Sequence, residues 1–114
     1  MKQERNRKLI TLLNECAEAC RYCSAANLEE GDVKAMVTCI KNNIDCAEMC
    51  TLVASCLSRA SVHVTKQLLL SCIDLCEACA AECKTHVHMP QCAECAAICH
   101  ACADACKKEV AEKF

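Results

Sequence analysis

The chain has 114 residues, 16 of them cysteine, about 14% and above the roughly 8–10% at which a short chain is read as a cysteine scaffold. Leu, Ile, Val and Phe together number only 23, near the roughly 20% below which chains often cannot bury enough to fold, so cysteine must be part of the core. Thirteen basic against 15 acidic residues, one Tyr, one Phe and no Trp exclude a nucleic-acid surface built on basic patches or base stacking. One Gly and one Pro leave little turn chemistry for a sheet-rich or loop-rich fold.

Alanine, glutamate, lysine and leucine give strong helix propensity throughout. A first helix is predicted over residues 3–28, and at about 100° per residue its Cys16, Cys20 and Cys23 share an arc of about 60°. Gly31 suits a left-handed helix terminus and Asp32 the N-cap of a second helix over 32–58. There Cys39, Cys46 and Cys50 share about 40°, while Cys56 lies about 100° or more off that seam, at a flank or a subunit contact. An apolar stripe, Val33, Val37, Ile40 and Ile44, runs beside the seam and predicts self-association.

A turn at Ser58–Ser61 precedes a third helix over 62–86, whose Cys72, Cys76, Cys79 and Cys83 share about 60°. Pro90 suits the first position of a fourth helix over 90–112, where Cys92, Cys95, Cys99, Cys102 and Cys106 share about 80°. Connections this short force antiparallel neighbours. The fold expected for residues 1–114 is therefore one all-α domain, an up-down-up-down four-helix bundle with a cysteine-lined core.

The cysteines form six CxxxC and four CxxC pairs, with no CC or CxC. Separations of three and four place side chains on one helix face. Glu15, Glu18, Glu48, Glu77, Glu82, Glu94 and Asp104 fall between the thiols and are expected to point mostly outward. The 1–2 and 3–4 connections lie at one end, the mouth. Thiols begin within about 10 Å of it and continue for a further 15–20 Å at 1.5 Å per residue. Beyond them Leu9, Leu12, Leu13, Val53, Leu57, Leu68 and Val110 are expected to form a hydrophobic plug.

No run of 18 or more apolar residues predicts a membrane span, and the apolar stretch near the N-terminus is too short for a secretion signal. A cytoplasmic location follows as the expectation, and there thiols stay reduced, which favours metal binding or catalysis over disulfides. Cysteine as a mere packing residue is disfavoured, because Ala or Val would pack without an oxidisable thiol. Structural zinc wants four ligands at one closed centre, commonly from CxxC knuckles. An iron–sulfur cluster is a stronger rival, since Cys92, Cys95, Cys99 and Cys102 are spaced like a ferredoxin run, but here the pattern is helical and Ala103 stands where a Pro would follow. Cu(I) fits better, being soft, thiolate-seeking and content with few ligands. Two thiolates one helical turn apart can hold one ion, and bridging thiolates can merge such sites into clusters. The alternatives kept are an iron–sulfur or redox protein and a zinc- or disulfide-stabilised bundle. No Ser-His-Asp set, phosphate loop or α/β redox motif points to an enzyme.

The segments CAEACRYC, CAEMC, CIDLCEACAAEC, KTHVHMPQC and CAECAAICHACADAC make the chain similar, over essentially its whole length, to the cytosolic copper-storage members of the cysteine-rich four-helix-bundle family. That resemblance implies storage of many Cu(I) ions per bundle, a homotetramer of bundles and no secretion signal. The fifteen seam cysteines are then the expected ligands. His86, continuing the third seam, His88 and Met89 in the adjacent loop, and Met36 one turn above Cys39 gather at the mouth and are expected to mark where metal is admitted. Taken singly, the histidines read as exposed loop residues and Met36 as core. His63 and His100 fall off the seams and are expected on the surface.

Overall fold

The computed structural model describes residues 6–114, and among these the secondary structure is helical: α1 (Arg7–Asn27), a single 3₁₀ turn (Val33–Met36), α2 (Val37–Ser58), α3 (Lys66–Lys84) and α4 (Pro90–Lys113). Residues 3–5, expected to open the first helix, lie outside the described residues. Asn6 is the N-cap, its side-chain oxygen accepting from Leu9 N at 3.0 Å. α1 packs on α2 and α4, and α3 on the same two, with the sequence-adjacent pairs α1/α2 and α3/α4 most extensive. This is the up-down-up-down bundle, an elongated body of 55 × 21 × 19 Å.

Three boundaries differ from expectation. Gly31 does not adopt the left-handed conformation, since no glycine has positive φ; α1 instead runs out through Leu28 in right-handed geometry. Asp32 does cap, but it caps the 3₁₀ turn by accepting from Ala35 N at 3.4 Å, and α2 proper starts at Val37. α3 starts at Lys66, where Thr65 accepts from Leu68 N at 3.2 Å, four residues later than the spacing predicts. It ends at Lys84, so His86 stands in the turn beyond the helix. Pro90 opens α4 as expected.

The core has two halves. At the closed end Leu9, Leu13, Val53 and Leu57 are buried, as expected, and Leu12, Leu68 and Val110 pack against them part-buried. Leu69 and Ile73 are the buried aliphatics of α3 there, with Leu68 part-buried beside them. Asn6 and Glu109 close this end, Nδ2 donating to Oε1 at 3.0 Å. Toward the mouth the core is sulfur.

The α2–α3 connection turns on Ala60, the one described non-glycine residue with positive φ, 51°. A β-carbon in that region costs about 1–2 kcal/mol, partly offset by the greater chain entropy glycine loses on folding. Ala60→Gly is expected to stabilise the reduced protein by about 0.5–1 kcal/mol, measured by denaturant unfolding under anaerobic conditions.

Candidate metal centre

All fifteen seam cysteines are fully buried, at 0% exposure. Cys56, by contrast, is 7% exposed and stands apart from the core cluster, with the Arg59 guanidinium donating toward its sulfur at 3.8 Å. Its expected place at a flank is therefore correct within the subunit. All sixteen thiols are free.

The sulfurs form one column. From the closed end, Cys16, Cys50, Cys76 and Cys102 make a group whose Sγ atoms all lie within 4.8 Å of one another; Cys16, Cys20, Cys46 and Cys99 make the next; Cys20, Cys79, Cys95 and Cys99 a third; and Cys23, Cys39 and Cys83 a fourth, at the mouth. Cys16 belongs to two groups, and Cys20 and Cys99 link the second to the third. Cys72 and Cys106 continue the α3 and α4 seams one turn below Cys76 and Cys102. Cys92 joins at the mouth, 3.9 Å from Cys23.

The closest contacts cross between helices. Cys20–Cys99, Cys50–Cys76 and Cys39–Cys83 each lie 3.6 Å apart, whereas the intrahelical pairs Cys46–Cys50 and Cys95–Cys99 are 3.9 and 3.8 Å. With metal–sulfur bonds of about 2.3 Å, the value for zinc, two sulfurs on one ion stand about 4.0 Å apart at a trigonal centre and about 4.6 Å apart at a linear one. The column thus meets the spacing of a thiolate-bound ion with small side-chain adjustments, and neighbouring ions would have to share sulfurs.

Ionisation within the column is uneven. S–H groups of neighbours directed at one sulfur stabilise its thiolate, while the neighbours hold their own protons more tightly. Cys46 is lowered by Cys16, Cys20, Cys50 and Cys76; Cys39 is drawn down to about 3 by Cys23 and Cys83, with a smaller pull from His86. Cys76 and Cys99 are raised by the thiols around them and by burial, as are Cys20, Cys50 and Cys83.

Two asparagines complete the column. Asn27 and Asn43 are fully buried. Asn43 Oδ1 accepts from Cys79 at 3.2 Å, Cys95 at 3.6 Å and Cys83 at 3.8 Å, and its Nδ2 donates to Cys39 at 3.9 Å. Asn27 Nδ2 donates to Cys23 and Cys39. Their register was the available signal: Asn27 follows Cys23 by four, and Asn43 follows Cys39 by four and precedes Cys46 by three.

At the mouth Met36 is buried at 1% exposure and Met89 packs part-buried on the core. His86 is half-buried, its Nε2 3.0 Å from Glu82 Oε2, so Glu82 turns toward the mouth where an outward carboxylate was expected. His88 is exposed, its ring 6.4 Å from that of His86. Glu15, Glu18, Glu48, Glu77, Glu94 and Asp104 face solvent, as do His63 and His100, the latter 3.4 Å from Asp104.

A helical bundle whose core is a chain of shared thiol groups belongs to the class of multi-ion metal–thiolate proteins. Residues 2–111 match the family described as copper storage protein, and the chain belongs to that family. It is similar to the copper storage protein Ccsp of Streptomyces lividans loaded with 10 copper equivalents, at 37% identity over 91% of this chain and 82% of that one, with a TM-score of 0.87. The Cu(I)-bound copper storage protein BsCsp3 is 30% identical over 92% of this chain and 97% of its own, with a TM-score of 0.85. An uncharacterized cysteine-rich protein of Bacillus subtilis, YhjQ, is 34% identical over 64 residues, which span 56% of this chain and 58% of that protein.

Loading the column must expel the protons that the raised thiols hold, since the thiolate is the ligand. Sign follows directly: acid refills Cys20, Cys76 and Cys99 and weakens binding, and alkali strengthens it. In weakly buffered anaerobic solution, each thiophilic ion bound is expected to release protons, and the affinity measured by chelator competition to rise from pH 6 to pH 8. An unchanged pH on loading contradicts this charge arrangement.

Proposed function

We propose that this chain stores several Cu(I) ions per bundle in the cytoplasm, without catalysis, using Cys16, Cys20, Cys23, Cys39, Cys46, Cys50, Cys72, Cys76, Cys79, Cys83, Cys92, Cys95, Cys99, Cys102 and Cys106 as ligands. The observation that carries the reading is the sharing of sulfurs between successive thiol groups, Cys16 between the first two and Cys20 and Cys99 between the second and third, with Cys23, Cys39 and Cys83 continuing the column at the mouth. One closed tetrahedral site would need four of these thiols; a continuous column suits a soft monovalent ion that tolerates two or three thiolates and bridges. Copper is cargo here, and it remains Cu(I) on binding. The Streptomyces relative described as a cytosolic copper storage protein, 37% identical over 90% of this chain with a TM-score of 0.86, supports the location as well as the cargo.

His86, His88, Met36 and Met89 serve as the borderline and soft ligands that admit copper at the mouth. Support comes from their position above the Cys23–Cys39–Cys83 group and from the plug that closes the opposite end. The bundles associate through α2 and the turn before it, whose Val33, Val37 and Ile44 are 37%, 40% and 46% exposed; the family resemblance implies a tetramer.

Anaerobic titration of the fully reduced protein with Cu(I) against a competing chelator tests storage. Saturation at or above one ion per two thiols is expected, and the loaded protein should be nearly colourless; one or two ions, or a brown protein as isolated, removes the reading. Replacing His86 and His88 by Ala and Met36 by Leu, a volume-conserving change, is expected to slow uptake about tenfold with capacity nearly unchanged. Capacity falling in step with rate would make these residues storage ligands instead.

A further inference from the structure

A chain of polar side chains crosses the mouth and ends on two of its sulfurs. Glu30, in the loop after α1, is a carboxylate and can only accept; its Oε2 takes a hydrogen bond from Gln91 Nε2 at 3.0 Å. That nitrogen carries two protons, and it donates the second to Asn27 Oδ1 at 3.1 Å. Glu30 therefore decides which end of Gln91 is nitrogen, and Gln91 decides which end of Asn27 is oxygen. Asn27 Nδ2 is left facing sulfur, 3.4 Å from Cys23 and 3.5 Å from Cys39.

The consequence is chemical. An N–H directed at sulfur stabilises thiolate and metal–thiolate, because hydrogen bonds to a charged acceptor are the strong ones, and it opposes a proton on the same lobe. Cys39 receives such a donor from Asn27 and a longer one from Asn43, while Cys83 stands 3.6 Å away. The other thiols meet thiols or amide oxygens instead: Asn43 Oδ1 takes S–H bonds from Cys79 and Cys95 and a longer one from Cys83, and Asn27 Oδ1 takes one from Cys92 at 3.5 Å. Cys23 and Cys39, at the end of the column nearest solvent, are thus the sulfurs that the Asn27 amide presets to receive a cation. Asn27 ends α1, Gln91 is the second residue of α4, and Glu30 lies in the loop between α1 and the 3₁₀ turn, so the network also ties together the two sides of the mouth.

We propose that Asn27, oriented by Glu30 and Gln91, is a positioning residue that holds Cys23 and Cys39 as the first sulfurs an arriving Cu(I) ion meets, making Cys23, Cys39 and Cys83 the exchange site for copper entering and leaving the column. The proposal rests on the storage reading. Transfer is a ligand exchange: a Cu–sulfur bond forms as the bond to the donor's ligand breaks, each thiol that joins gives its proton to water, and copper stays monovalent throughout.

The test uses the full reduced chain and Cu(I) presented as its bicinchoninate complex. Gln91→Glu is isosteric and removes the amide donor; its carboxylate instead accepts from Asn27 Nδ2, turning the Asn27 oxygen onto the sulfurs. Stopped-flow uptake, and release to excess chelator, are expected to slow about tenfold or more, with total capacity reduced by no more than the ions held at the mouth. Asn27→Leu is expected to behave alike. A Gln91→Glu protein that takes up copper within about twofold of the parent rate, at full capacity, overturns the proposal; one or two ions bound by the parent chain would instead overturn storage itself. Should either variant lose helicity, ¹⁵N spectra of the parent chain decide: the Asn27 side-chain amide is expected to shift with the first equivalents of Cu(I), and movement only near saturation rejects the exchange site.

Discussion

The constraint on which this structure depends is the burial of fifteen sulfurs in one continuous low-dielectric column. A protonated thiol packs there as a small hydrophobe, but a naked thiolate away from water is expensive, and adjacent thiolates repel. The column meets this by letting a few sulfurs, such as Cys39 and Cys46, accept S–H bonds while their neighbours keep their protons. Cu(I) relieves the same tension differently, by supplying positive charge among the sulfurs. One side-chain set can then serve two chemical states without a change of fold.

That solution dictates how the rest of the chain is used. Helices suit it because three- and four-residue spacings deliver thiols in line without using loops, and four antiparallel helices surround the line completely. Cysteine contributes less apolar surface than leucine, so the aliphatics are concentrated where no thiol is needed. Leu13, Val53 and Leu69, each fully buried, hold the closed end together with the Asn6–Glu109 bond. The result is a bundle with a sealed end and a polar one, and a direction for anything that moves along its axis.

Much of this could be read from residue spacing, because hydrophobic period is a property of the helix alone. Fifteen thiols fall on the inner face as the arcs require, Cys56 falls outside it, and the fold is the expected bundle. The misses are local contests that periodicity does not see. Gly31 permits a left-handed turn but does not compel one, and the first connection is closed by a 3₁₀ turn capped by Asp32. The third helix starts only after Thr65, which caps Leu68 N, although Ser61 offers an equally good cap and instead accepts from His63 N within the turn. His86 lies on the third seam only if the helix runs on to residue 86; it stops at Lys84, yet the turn keeps its ring near the mouth. Periodicity does not single out Asn27 and Asn43, because a polar side chain ordinarily argues against burial; a thiol-lined core reverses that argument, since sulfur both accepts from an amide and donates to it.

Spacing also understated how the thiols cooperate. CxxxC pairs suggest chelation within a helix, whereas the shortest sulfur contacts join different helices. Sharing follows from geometry: Cys16, Cys20 and Cys99 each belong to two groups, so an ion in one group draws in sulfurs that the next must use. In the storage we propose, binding at the groups that share sulfurs would therefore be coupled. The first ion in a group fixes side chains that its neighbour would otherwise have to order, while bridging thiolates divide their charge between two ions and hold each less tightly. Capacity and affinity in that proposed storage would belong to the column as a whole and to no single pair of cysteines.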